Sequence, residues 1–139
     1  MPSEFAERLL LVLEDDPDIR EGMASVLRMA GFRVVTAANG AEGLALLRHG
    51  IRPDLILLDI AMPVKDGVEF RKEQESHAEL ANIPVIAMTA HSHAESKRYQ
   101  IGAKDVLRKP FSAEDMLTMV RKYCEADTST AETQRLDRQ

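Results

Sequence analysis

A chain of 139 residues that is 45% hydrophobic can bury one core, and it is read as a single compact domain. Its formal charge of −5 argues against a nucleic-acid or anionic-membrane surface, since both need concentrated Lys and Arg. The lone cysteine, Cys124, rules out an intrachain disulfide and fits a reducing, cytoplasmic compartment. Aromatic residues make up only 4% and Trp is absent, so the core must be aliphatic. The opening segment, MPSEFAERLLLVLEDD, has an apolar run of five residues broken by acids, which is neither a signal peptide nor a membrane span.

In chain order, short apolar runs alternate with amphipathic stretches. LLLVL at 9 to 13 predicts a first buried strand. Ile19, Met23, Val26, Leu27 and Ala30 then recur at helical spacing and stop at Gly31. RVVTA at 33 to 37 predicts the second strand, and NGAEGLALLRHG the helix after it, with Leu44 and Leu47 on one face and Gly50 at the close. DLILLD at 54 to 59 predicts the third strand, PVIAM at 84 to 88 the fourth and the weaker DVLRK at 105 to 109 the fifth. GVEFRKEQESHAEL and HAESKRYQIG are too polar for clear stripes and are read as the third and fourth helices from the alternation alone. The last helix, SAEDMLTMVRKYC, places Met116, Leu117, Val120 and Cys124 in register, with Ser112 as its cap. Such alternation implies an α/β fold with a parallel sheet, right-handed crossovers and helices on both faces.

Ligands of such sheets bind at the carboxyl ends of the strands, so the residues there carry the functional argument. The first strand ends in Glu14, Asp15 and Asp16, the third in Asp59, the fourth in Thr89 and the fifth in Lys109. Clustered carboxylates raise one another's pKa unless a cation neutralises them, and an oxygen-only donor set suits Mg²⁺. A carboxylate such as Asp59 can attack phosphorus to form an acyl phosphate. Lys109 and Thr89 then offer charge and a hydrogen bond to phosphoryl oxygens, which is most of what phosphoryl transfer requires. Taken singly, Thr89 and Lys109 are better read as a core hydroxyl and a solvated lysine. Asp16 and Asp18 are equally well explained as the acidic first turn of a helix opening at Asp16-Pro17.

LLLVLEDDPDIRE, DLILLDIAMPVKDG, PVIAMTA and GAKDVLRKPF resemble, in order and spacing, the receiver domain of response regulators over roughly residues 8 to 124. The resemblance implies a flavodoxin-like, doubly wound five-stranded parallel sheet in the order 2-1-3-4-5, with a receiver domain over 1–125 and a polar tail over 126–139. It implies that Asp59 is the phosphoacceptor and that Asp15 and Asp59 bind Mg²⁺ directly. Glu14 then assists through water, and the backbone carbonyl of Ala61 completes the protein ligands, while Asp16 stays outside the set. A cis Lys109-Pro110 bond is also implied. The activity implied is a two-component signalling switch, not an enzyme on outside substrates. It is charged by a sensor histidine kinase or phosphotransfer protein and read by a downstream protein, with no direct contact to nucleic acid or membrane. One departure stands out: the family's usual Tyr or Phe three residues before the lysine is Val106. Too short and stiff to swing, Val106 excludes an aromatic rotamer switch, and the expected output is a shift around the fourth helix, with Tyr99 as a weaker substitute.

Other classes fit less well. A flavodoxin-type cofactor binder needs small residues and open backbone donors after the first strand, where EDDPD would repel phosphate. An Asp-nucleophile phosphatase usually carries a general acid two residues on, and that position is Ala61. An intact acid, hydroxyl and lysine set counts against a pseudo-receiver. His49, His77, His91 and His93 lack matching metal ligands and are read as surface residues, with His91 a lesser candidate for influencing phosphoryl lifetime. Cys124 is read as core packing. Beyond Glu125 the polar ADTSTAETQRLDRQ is expected to supply no second core, although Ser129 and Glu132 could cap a short helix. The chain therefore resembles stand-alone, chemotaxis-regulator-like proteins that act by binding a partner, with a piece of a longer regulator or hybrid kinase as the alternative.

Overall fold

The computed structural model describes residues 8–62, 65–90 and 101–124. Five strands, β1 (Leu9–Leu13), β2 (Arg33–Ala37), β3 (Leu55–Asp59), β4 (Val85–Thr89) and β5 (Asp105–Arg108), form one parallel sheet in the order β2-β1-β3-β4-β5. The order and the helices on both faces agree with expectation. LLLVL and RVVTA coincide with β1 and β2, whereas Asp54 and Pro84 lie just outside their strands. The Asp54 carboxylate instead accepts the Leu9 N–H at 2.8 Å, stitching β1 to the start of β3. Pro84 has no N–H for the ladder, though its carbonyl still accepts from Ile56 at 3.0 Å.

Alternating side chains send the strands' apolar residues to two cores. Leu10, Val12, Leu57 and Met88 meet Met23 and Leu27 of α1 (Pro17–Met29) and Met116, Val120 and Cys124 of α5 (113–124). Leu11, Leu13, Ile56 and Leu58 meet Leu44 and Leu47 of α2 (Gly40–Arg48) and Phe70 of α3 (Gly67–Glu75). Burial on both faces is why the central strands β1, β3 and β4 read as apolar runs, whereas the edge strands β2 and β5 carry exposed Arg33 and Arg108. Each fully buried Leu or Ile contributes about 1.5–3 kcal/mol, so β3, buried at every position, is the anchor that carries Asp59 to the rim.

The helix signals act locally as expected. Asp16 caps α1, its carboxylate accepting the Asp18 and Ile19 N–H groups at 2.9 and 3.1 Å, with Pro17 in the first turn. Gly31, at φ 104°, turns the chain out after α1. Ser112 Oγ accepts the Asp115 N–H at 3.0 Å at the head of α5. Ile19, read as part of the α1 stripe, is instead 41% exposed and lines an apolar groove with Met23, Val26 and Phe111.

The stretch read as one third helix is two, α3 and a single turn, α4 (Ala78–Ala81). The cause is Gln74, fully buried, whose amide donates to the carbonyls of Leu80 at 2.8 Å and Ile83 at 3.1 Å. Those bonds require the chain to turn back over the end of α3. Of the expected fourth helix only the end is described, with Ile101 buried. The readings made of His91, His93 and Tyr99, and of the tail beyond Cys124, fall outside the described residues.

Candidate functional site

Parallel register delivers the strand ends to one rim. Glu14 follows β1, Asp59 and Thr89 end β3 and β4, and Lys109 follows β5. Glu14, Asp59 and Thr89 are buried, at 0%, 3% and 3% exposure, while Asp15 is exposed. Carboxylate oxygens of Glu14, Asp15 and Asp59 all lie within 4.8 Å of one another. Lys109 reaches into this group, donating to Glu14 Oε1 at 2.5 Å and to Asp59 Oδ2 at 3.1 Å. Its backbone N–H is bonded to the Thr89 carbonyl at 3.0 Å, and the Lys109-Pro110 bond is cis. The other Asp59 oxygen accepts the Ala61 N–H at 3.1 Å, which holds the start of the following loop against the carboxylate.

The electrostatics are those of an acid cluster short of positive charge. Burial, reinforced by contact with the Asp59 carboxyl, pushes the Glu14 carboxyl above the ordinary range against the opposing pull of Lys109. Burial also works against the Lys109 charge, yet its bond to Glu14 and the nearby Asp59 outweigh it and hold the ammonium's proton more tightly than usual. Glu14 Oε2 is buried without a hydrogen-bond partner, an orphaned acceptor on a member of the cluster. Three carboxylates against one ammonium, with oxygen-only donors and an unsatisfied buried oxygen, fit a hard divalent cation of the Mg²⁺ type.

The residues flagged from sequence therefore gather as a group: Glu14, Asp15, Asp59 and Lys109 in direct proximity, Thr89 on the adjoining strand end and Ala61 immediately beyond Asp59. Asp16 commits its carboxylate to the α1 cap. His49 and His77 are exposed, and the His49 ring faces its own helix at Ala45 O, 2.7 Å away. Cys124 is buried in the α1–α5 core. One participant carries no sequence signature. The Arg20 guanidinium bonds the carbonyls of Glu14 at 2.9 Å and Asp15 at 3.3 Å, fixing the backbone that presents both acids. A cation one turn inside a helix that opens on an acidic rim was the available hint.

Comparison with known proteins places this geometry. Residues 10–121 match the response regulator receiver domain. The DNA-binding dual master transcriptional regulator RpaA of Synechocystis is 38% identical over 114 residues, 81% of this chain but 47% of that protein, so the chain spans under half of that relative's length. The chemotaxis response regulator CheY4 of Vibrio cholerae superposes with a TM-score of 0.76 at 32% identity, covering 84% of this chain and 98% of CheY4. The receiver domain of sensor histidine kinase PA1611 from Pseudomonas aeruginosa, solved with a magnesium ion coordinated in its active site cleft, gives a TM-score of 0.75 at 28% identity, covering 84% and 96% of the two chains. No helix among the described residues is long and apolar enough to cross a membrane. With the sheet order, the acid rim and the family match in agreement, the chain belongs to the response regulator receiver domain family.

Proposed function

We propose that Asp59 accepts a phosphoryl group from the phosphohistidine of a sensor histidine kinase or phosphotransfer protein, in a Mg²⁺-dependent step. The phosphorylated chain then acts by altered binding to a downstream protein. The observation that carries this reading is the cluster of the Glu14, Asp15 and Asp59 carboxylates at the carboxyl rim of the sheet, with the Lys109 ammonium bonded to Glu14 and Asp59. The receiver unit is taken as 1–125, with 126–139 a polar tail. The role is regulatory: the domain assists only its own phosphorylation and dephosphorylation.

Asp15 and Asp59 would hold Mg²⁺ directly, with the Ala61 carbonyl as the third protein ligand and Glu14 acting through water. Bound there, the ion would offset the carboxylate charge and the charge on the transferring phosphoryl group. An Asp59 carboxylate oxygen forms the new bond to phosphorus as the bond to the donor imidazole breaks, and the imidazole keeps the electron pair and takes a proton from solvent. Lys109, 3.1 Å from Asp59, is placed to exchange its carboxylate contact for a phosphoryl oxygen. The Thr89 hydroxyl donates to another. In wild type, acetyl phosphate with Mg²⁺ is expected to add one phosphoryl group by intact mass, and EDTA to prevent it. Millimolar Mg²⁺ alone should raise the melting temperature, because a ligand at a hundredfold its Kd stabilises the native state by about 2.7 kcal/mol. A melt indifferent to Mg²⁺ would remove the cation from the reading.

The signal leaves the site without an aromatic switch. Val106, in register with Ala87, packs half-buried against the α2–α3 core. A β-branched side chain there has no second large position to occupy. The expected output is a population shift of the segment from 90 to 108, driven by Thr89 engaging the phosphoryl group. Beryllofluoride, a phosphoryl mimic, should move backbone NMR shifts through that segment in wild type and much less in Thr89→Ala. Changes confined to the Asp59 pocket in wild type would defeat this route.

A further inference from the structure

At Lys65, the loop between β3 and α3 is held from its outer side by two elements, α2 and α3. The Gly40 N–H, at the start of α2, donates to the Lys65 carbonyl at 3.1 Å. The Lys65 ammonium bonds Glu73 of α3, and Glu73 also takes Arg48 of α2 at 3.1 Å. The fit at Gly40 is tight: a Cβ there would stand 2.6 Å from the Lys65 carbonyl oxygen and 2.9 Å from its Cγ. Only glycine lets the loop lie this close to α2. The inner side of the same loop is closed by Gly67 N–H to Ile60 O at 3.0 Å and by Ala61 N–H to Asp59 Oδ1.

Ala61 has only a methyl side chain and is exposed, so the donor it can offer a cation is its backbone carbonyl. We propose that Lys65, with Gly40 and Glu73, forms a clasp that positions the β3–α3 loop so that the Ala61 carbonyl faces the acid cluster and completes the divalent-cation site. The inference rests on the Mg²⁺ reading above and names residues outside its ligand set. Lys65 acts through the loop and not as a counter-charge, because its ammonium is directed to Glu73. As stability alone the clasp counts for little, since its ion pairs are partly exposed and screened by solvent. Its effect is geometric and should appear in cation affinity.

Charge and geometry predict opposite signs, which makes the clasp testable. Were Lys65 and Glu73 felt only as nearby charges, Lys65→Met would tighten Mg²⁺ binding and Glu73→Gln would weaken it. As a clasp, both substitutions weaken it, by about tenfold on the scale typical of groups supporting metal ligands. Lys65→Arg restores wild-type affinity. The experiment is a Mg²⁺ titration of the full chain followed by the backbone amide shifts of Asp59 and Ala61, with a melt of each metal-free variant. The expected result is a raised Kd in both variants, a displaced Ala61 amide without metal and nearly unchanged melting. Unchanged affinity in both, or affinity changes of opposite sign, overturns the clasp while the wild-type titration still supports the Mg²⁺ reading. No saturable Mg²⁺ response in wild type would instead sink that reading, and the clasp with it.

Discussion

Asp59→Asn is expected to abolish phosphoryl uptake from acetyl phosphate and, at the same time, to make the metal-free protein more stable. The first effect follows from chemistry, because an amide offers no carboxylate oxygen to form an acyl phosphate. The second follows from the crowding of the site. Glu14 is fully buried, and its carboxyl is pushed up by burial and next by the Asp59 carboxyl, so wild type carries a repulsion that asparagine removes. The closer of the two Lys109 bonds, to Glu14 at 2.5 Å, survives the change. A gain of about 1–2 kcal/mol at neutral pH is expected, together with loss of the thermal response to Mg²⁺. Intact mass and urea unfolding, each with and without Mg²⁺, read both effects. A labelled mutant would move the phosphoacceptor elsewhere, and a marked loss of stability would mean that Asp59 is held chiefly by its bond to Lys109 and not repelled by its neighbour.

What could be read from the chain in advance follows from where each feature is encoded. β1 falls where LLLVL stands because a central strand buried on both faces must be apolar at nearly every position, a local signal, and the edge strand β2, buried only at Val34 and Ala37, still shows in the short apolar core of RVVTA. The helix ends at Asp16, Gly31 and Ser112 were legible for the same reason, since capping is settled within a few residues. The break between α3 and α4 was not, because it depends on Gln74 reaching carbonyls six and nine residues ahead inside the core, and nothing local distinguishes that glutamine from a surface one. The exposure of Ile19 likewise depends on how α1 meets the loop after β5.

The acid rim was legible because its members are strand-end residues and the sheet does the assembling. The supports around it were not. Arg20 holds the Glu14 and Asp15 carbonyls by side-chain-to-backbone bonds, and Lys65 closes on Gly40 through its backbone and on Glu73 through its ammonium, across separate elements. Such contacts follow no sequence period. They also bear most directly on ligand geometry, since a carboxylate or carbonyl is only as well aimed as the backbone that carries it.

Replacing Lys109 with methionine should give the largest loss of stability together with slowed phosphorylation, and the stability loss should depend on pH in a defined direction. Removing the ammonium leaves Glu14 and Asp59, 0% and 3% exposed, without their cation. Stripping one side of a buried ion pair typically costs about 3–5 kcal/mol. In the folded state the Glu14 pKa already lies above its unfolded value of 4.5, so the cost of its charge is felt in full above the folded pKa and is relieved as pH falls toward 4.5. The mutant's deficit should therefore be large at pH 8 and shrink toward pH 5 as Glu14 takes up a proton. On the alkaline side, the Lys109 pKa is raised above 10.5, so its stabilisation is complete below that value and fades as pH climbs through the folded pKa. Wild type and mutant should then approach each other again at the alkaline extreme. Mg²⁺ should narrow the gap at pH 8 by supplying positive charge to the same oxygens, whereas phosphoryl uptake should stay about a hundredfold slower, because the ion cannot replace an ammonium aimed at the phosphoryl group. Urea unfolding of both proteins from pH 5 to 11 tests this account, and a deficit of equal size at pH 5 and pH 8 would show that Lys109 stabilises the fold by packing and not by holding the acids together.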